Sequence, residues 1–204
     1  MTATPSRKRT RLTPEARSEQ ILDDAARLII ETGLSAVTME RLARAVGISK
    51  GLVYKYFPSR DALLAALLHR EQLELRDRGM ATAMQAQSYA DLIRQTTRLY
   101  LQHTRDRGAL TVALMADPSV ARLMEEESRA DLDRTIRFFV RATRREYGLS
   151  LEASIDAVDL LMSVTDQAGK RVALGRMEVE AATEMCVRLI TGGLARLAAA
   201  DYQA

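Results

Sequence analysis

Apolar residues recur along the chain at intervals of three and four, the period of helices with one buried face. No segment alternates with the period of two expected of a strand. From Pro14 to Thr32 the apolar stripe is Ile21, Leu22, Ala25, Leu28 and Ile29, and Gly33 follows as a left-handed C-terminal cap. Thr38 then caps a short helix on which Met39, Leu42, Ala43 and Val46 share a face. Gly47 ends it, Ile48 fills the corner, and Ser49 caps a third helix running to about Tyr56. Phe57-Pro58 stops that helix, because the residue before a proline is driven out of the helical region. Ser59 opens a fourth helix that carries Leu63, Leu64, Leu67 and Leu68 and reaches about Met84. Further helices are predicted over about 88–104, 108–116, 118–147, 151–174 and 178–200. The separators are Gly79 with its polar surroundings, Arg105-Asp106-Arg107-Gly108, Asp117-Pro118, Gly148 and Gly175. The pattern predicts an all-α chain of about nine helices.

Composition adds limits. The chain has 204 residues, 47% of them apolar and 28% charged, which is a globular balance. The purely apolar runs are as short as Leu28–Ile30, so no bilayer-spanning segment and no secretory signal is expected. A single cysteine, Cys186, excludes an intramolecular disulfide and fits a reducing cytoplasm. Two histidines, His69 and His103, leave little for a zinc site, and neither a metal nor a cofactor is expected. Charge is uneven: residues 1–60 hold 11 Lys/Arg against 6 Asp/Glu, while residues 61–204 hold 19 against 21. The basic part begins with Arg7, Lys8, Arg9 and Arg11, expected to be a disordered arm over residues 1–13. A basic arm leading into a basic small domain suits a polyanionic partner, and a solubilising tail has the same composition.

Thr38 through Phe57 reads TMERLARAVGISKGLVYKYF. Two short helices joined by Val46-Gly47-Ile48-Ser49 make a helix-turn-helix, whose second helix can enter the major groove of DNA. Leu42, Ala43, Val46, Ile48, Val53 and Phe57 would pack inward, leaving Ser49, Lys50, Gly51, Leu52, Tyr54, Lys55 and Tyr56 at the outer face or helix ends. An ordinary helical hairpin carries acids and bases in equal measure, whereas here Arg41, Arg44, Lys50 and Lys55 stand against Glu40 alone. The three-helix helix-turn-helix domain is therefore assigned to residues 14–60. Enzyme chemistry finds no footing: there is no Gly-x-Ser-x-Gly elbow, no phosphate-cradling glycine loop and no His/Cys metal spacing.

The segment resembles the TetR family of transcriptional regulators. The likeness rests on Thr38 to Ala43, Val46 to Gly51, Tyr54, Tyr56-Phe57 and Pro58 to Leu63, with Glu31-Thr32-Gly33-Leu34 ending the first helix. It covers about residues 18–68; beyond them only helix number, length and break positions agree. The resemblance implies that Tyr54 and Tyr56 are aromatic phosphate contacts, and that Thr38 caps helix two and touches phosphate. It makes Arg60 a phosphate clamp at the start of helix four, and sets Ser49, Lys50, Gly51, Leu52 and Lys55 toward DNA. One departure stands out. Leu52 occupies a position where the family usually has threonine or serine, and leucine offers only apolar contact, for example to a thymine methyl.

The resemblance further implies that residues 61–204 form an effector-binding and dimerisation bundle, the last two helices holding a homodimer. Thr96, Tyr100 and His103 lie on an unusually polar stripe, either as a packed edge or as the lining of an effector cavity. Phe139, on a helix whose Leu132, Ile136, Val140 and Thr143 should also point inward, suits the core or the cavity. Met162 and Asp166 share a face; the acid would find a cationic effector, an arginine, or solvent at a dimer edge. The final helix presents Cys186, Leu189, Gly193 and Leu197 as candidates for the dimer interface, with Gly192-Gly193 allowing close approach. The function expected is a repressor released from a pseudo-palindromic double-stranded DNA operator by a small-molecule effector. The rival is a structural or effector-independent DNA binder without a working ligand pocket.

Overall fold

The computed structural model describes residues 12–200, apart from the side chains of residues 124–131. Of the expected basic arm at 1–13, residues 1–11 lie outside the described residues. The remainder is all-α, as the periodicity predicts. The helices are α1 (Pro14–Thr32), α2 (Met39–Val46), α3 (Lys50–Tyr56), α4 (Arg60–Gln85), α5 (Tyr89–Met115), α6 (Pro118–Tyr147), α7 (Leu151–Ala173) and α8 (Val179–Ala199). A 3-10 turn over Leu34–Ala36 is the ninth helical element. The chain forms two compact units that divide after Leu67.

The first unit follows from its caps. Thr13 accepts a hydrogen bond from the Ala16 amide at 3.2 Å, and Pro14 occupies the first turn, where its missing N–H costs nothing. Ile21, Leu22, Ala25, Ala26, Leu28 and Ile29 then form one buried face of α1, which packs on α2, and α2 on α3. Leu42, Val53, Leu63, Leu64 and Leu67 are fully withdrawn from water. Each such side chain contributes about 1.5–3 kcal/mol relative to exposure, so eight- and seven-residue helices stand by packing rather than propensity.

In the second unit α5 packs against α6, α7 and α8. Its larger core joins Leu92 and Ile93 to Ala153, Ala157, Val187, Ile190 and Leu194; a smaller one joins Leu101, Val172, Val179 and Ala182. The predicted breaks at Gly79 and at Arg105–Gly108 do not occur: α4 runs through the first and α5 through the second. Gly108 is buried inside the helix, where a β-carbon would lie 3.3 Å from Thr104 Cγ2 and 3.8 Å from the Ala173 β-carbon. The glycine serves close packing rather than a turn. Leu132, expected to point inward, is 50% exposed.

Candidate functional site

Backbone chemistry fixes the two short helices. The Thr38 hydroxyl accepts from the Arg41 amide at 3.1 Å, which leaves its own O–H free to donate. Gly47 ends α2 at φ 73°, a left-handed conformation that favours glycine, and the Ile48 amide returns to the Ala43 carbonyl at 3.0 Å. The Ser49 hydroxyl then accepts from the Leu52 amide at 3.2 Å and starts α3. Val53 and Phe57 are buried, so the rest of α3 must face outward. Ser49, Lys50, Gly51, Tyr54 and Lys55 are exposed, with Leu52 and Tyr56 half-buried. The expected contact residues of α3 are thus exposed or half-buried, and only Val53 and Phe57 are withdrawn. A β-carbon on Gly51 would meet nothing within 4 Å, so the first unit does not itself require glycine there.

Charge on this surface is partly committed. Lys50 Nζ lies 2.7 Å from Glu40 Oε1, and the bond holds the lysine's pKa above and the carboxyl's below their ordinary values. Arg44 and Lys55 are exposed and carry no ion pair among the described residues. Arg60 is tied to the first unit's backbone. Its Nε donates to the Val37 carbonyl at 3.1 Å and its Nη2 to the Leu34 carbonyl at 3.2 Å, with Nη1 at 3.7 Å from Asp61. These bonds hold the segment that leads into Thr38. Nothing in the sequence marks those two carbonyls as its partners, since they lie at the ends of a 3-10 turn more than twenty residues away.

The ligand-pocket candidates of the second unit do not converge. Thr96 donates to the Leu92 carbonyl of its own helix at 2.7 Å. The Tyr100 hydroxyl donates to Asp166 at 3.3 Å, and Asp166 pairs with Lys170 at 2.8 Å, so the acid is exposed and its cation is a lysine. Gly169 admits the Tyr100 ring, which a β-carbon would meet at 3.0 Å. Burial and the nearby Asp166 push the tyrosine's pKa up. His103 lies instead near the Glu71–Arg107 pair, and burial holds its pKa down despite Glu71 and Glu74. Phe139 packs against the larger core, and Met162 is half-buried on α7.

One cavity of about 440 Å³ lies between the end of α4, the start of α5 and the last turns of α6. Tyr89, Leu92, Phe138, Arg141 and Arg145 are among its walls, and none of the six residues proposed from the sequence is. The dimer candidates also separate. Cys186 is 1% exposed and faces the core of its own chain, and Leu197 packs on that core. Leu189 and Gly193 point outward, Leu189 being 54% exposed. Burial pushes the Cys186 thiol up in pKa, so it is held as a thiol.

Residues 21–67 match the family described as bacterial regulatory proteins of the tetR family. Over these residues the chain carries the TetR family's DNA-binding segment. Among curated relatives, nucleoid occlusion factor SlmA of Haemophilus ducreyi is 32% identical over 124 residues, 60% of this chain and 59% of the relative. The chain therefore spans less than two thirds of that relative's length. Among solved structures, a TetR-like transcriptional regulator from Rhodococcus sp. RHA1 superposes with a TM-score of 0.70 at 24% identity, covering 91% of this chain and 99% of that one. The transcriptional regulator FadR from Bacillus subtilis, in complex with stearoyl-CoA, superposes with a TM-score of 0.67 at 14% identity, covering 86% and 98%. These likenesses establish the TetR fold over both units, and the family match falls on the first. Among the described residues no helix is long and apolar enough to cross a membrane.

Proposed function

We propose that this chain is a cytoplasmic TetR-family repressor that holds a pseudo-palindromic double-stranded operator as a homodimer and releases it on binding a small-molecule effector. The observation that carries the reading is the outward face of α3. Burial of Val53 and Phe57 leaves Ser49, Lys50, Gly51, Tyr54 and Lys55 exposed, the mixture of hydroxyl, cation and aromatic that suits phosphate and base edges. In this reading residues 14–60 bind DNA after the basic arm at 1–13, residues 61–204 bind effector and dimerise, and no catalysis occurs. Outward Met185, Leu189 and Gly193 on α8 support the dimer, whose two α3 helices would meet the duplex about 34–36 Å apart, one turn of DNA. The cavity of the second unit supports the effector, as does the stearoyl-CoA bound by FadR of Bacillus subtilis.

The likeness to nucleoid occlusion factor SlmA favours a second reading, a DNA binder that acts without an effector. Genome-wide footprinting followed by binding to the recovered sites tests both. The repressor reading expects a few pseudo-palindromic sites beside genes and a compound that raises the melting temperature while lowering operator affinity. Sites scattered without regard to genes, with DNA alone stabilising the protein, would favour the second.

A further inference from the structure

The cavity of the second unit has a floor and a rim of different chemistry. Tyr89 and Leu92 are buried beside Phe138 and Ala142, and the Tyr89 hydroxyl is bonded to Thr143 at 2.8 Å, so the ring rather than the hydroxyl is left to a guest. Burial pushes that hydroxyl's pKa up to about 12, so it stays neutral. At the mouth the Gln87 backbone N–H donates to Asp91, and the Ser88 hydroxyl accepts from the Asp91 amide while keeping its own O–H, so the neutral polar groups there can add a hydrogen bond but no charge. Arg141 and Arg145 are different. They lie one helical turn apart on α6, both line the cavity, and neither has a hydrogen bond or ion pair among the described residues. Glu146 lines it too, which leaves one positive charge in excess. Like charges a turn apart repel mildly, and an anion placed between them reverses the sign of that interaction.

We propose that this cavity binds an amphipathic anion, its head held by Arg141 and Arg145 and its apolar body laid against Tyr89, Leu92 and Phe138. The inference rests on the effector-responsive reading and names the chemical class of its ligand. A volume of about 440 Å³ suits a body of modest length. The excess of one charge matches a carboxylate, and a phosphate monoester shares the chemistry.

Calorimetry on the DNA-free full-length protein tests the proposal, with decanoate, decyl phosphate and neutral decanol as probes. Saturable binding of at least one anion is expected, with decanol weaker by on the order of tenfold or more. Arg141→Gln combined with Arg145→Gln should remove that preference. Both side chains are exposed, so the fold survives, and Arg144→Gln, which does not line the cavity, should change nothing. Whichever anion binds more tightly identifies the head. No saturable binding of either anion, or equal affinity for decanol, overturns the proposal, as does an unaffected double variant. Operator affinity is measured separately. Anion binding that leaves it unchanged keeps the site and removes the effector reading, so the two fail in different experiments.

Discussion

Lys50 Nζ and Glu40 Oε1 are 2.7 Å apart, so the first lysine of α3 is already neutralised by the first turn of α2. A DNA phosphate reaching Lys50 must displace a carboxylate that it also repels. Glu40→Gln should therefore tighten binding to any duplex, by about two- to fivefold at low salt, because an exposed pair is worth only about 0–1 kcal/mol. Fluorescence anisotropy against operator and random DNA measures it. Weaker binding would show that Glu40 positions the lysine rather than masking it.

Arg60 separates two roles by their signatures. As a clamp on the Val37 and Leu34 carbonyls, its loss should lower stability while leaving the number of phosphate contacts unchanged. Arg60→Gln is expected to cost about 1–2 kcal/mol, since charge-assisted hydrogen bonds to carbonyls are among the stronger ones. Urea unfolding gives the cost, and a salt titration of DNA binding gives the slope. A slope reduced by about one unit would return Arg60 to the phosphate contacts that the family resemblance implies.

Lys55 and Leu52 should differ in kind. Lys55 is exposed and unpaired among the described residues, so Lys55→Ala should weaken operator and random DNA alike and reduce the salt slope by about one unit. Leu52 has only apolar surface to offer, so Leu52→Thr should alter preference among operator variants with little change in mean affinity. A binding selection on randomised half-sites compares the two. Equal losses on every sequence would mean that Leu52 does not face bases.

The helix-turn-helix was legible because each of its features is local. A hydroxyl cap, a left-handed glycine and an apolar period lie within a few residues of what they control, and Thr38, Gly47 and Ser49 do what their positions predict. The same local logic failed at Gly108, which lies inside α5 rather than at a break and is buried there, a packing fact that no nearby residue announces. Pocket and interface residues are hard to read for a related reason. Cys186 and Leu189 are three positions apart on one apolar helix, and only tertiary packing decides which faces the core. The cavity was missed because its signal is two arginines lacking partners, and pairing is invisible in a sequence that holds 30 Lys/Arg and 27 Asp/Glu.

Glu71 makes a pH prediction with a definite sign. Its side chain is 1% exposed and takes two hydrogen bonds from Arg107, at 2.9 and 2.6 Å. Burial alone would raise its pKa; Arg107, with Arg70 and His103, outweighs burial and holds it below the ordinary 4.5. A carboxylate depressed on folding contributes stability above its unfolded pKa and loses it as pH falls through the folded one. Glu71→Gln should therefore cost about 3 kcal/mol at neutral pH, the buried Arg107 contact losing its counter-charge. The gap to wild type should stay constant down to about pH 4.5 and close below it. Urea denaturation between neutral and acid pH reads this out, and a gap that persists far below that pH would show that the pair does not carry the acid dependence.

The dimer prediction uses a substitution that is harmless within one chain. A β-carbon at Gly193 meets nothing within 4 Å, so a side chain can start there without clashing inside the protomer, and the higher helix propensity of leucine favours α8 rather than opposing it. Leu189, 54% exposed, and Met185, 51% exposed, border it on the same outward face of α8, where an isolated chain would leave their apolar surface in water. If two copies meet there at close range, a leucine overpacks the contact at a cost of about 1–3 kcal/mol, or roughly tenfold to a hundredfold in dimer dissociation. Operator affinity should fall with it, because two half-sites are held only by a joined pair. Leu189→Glu provides a second route, adding charge to the same face without altering the buried side, where Cys186 and Ile190 lie. Sedimentation velocity across a concentration series should show wild type as a dimer at micromolar concentration and both variants shifted toward monomer, each keeping its melting cooperativity. A wild-type chain that sediments as a monomer while binding DNA tightly would remove the dimer from this face, and α8 would then be an ordinary solvent-facing helix.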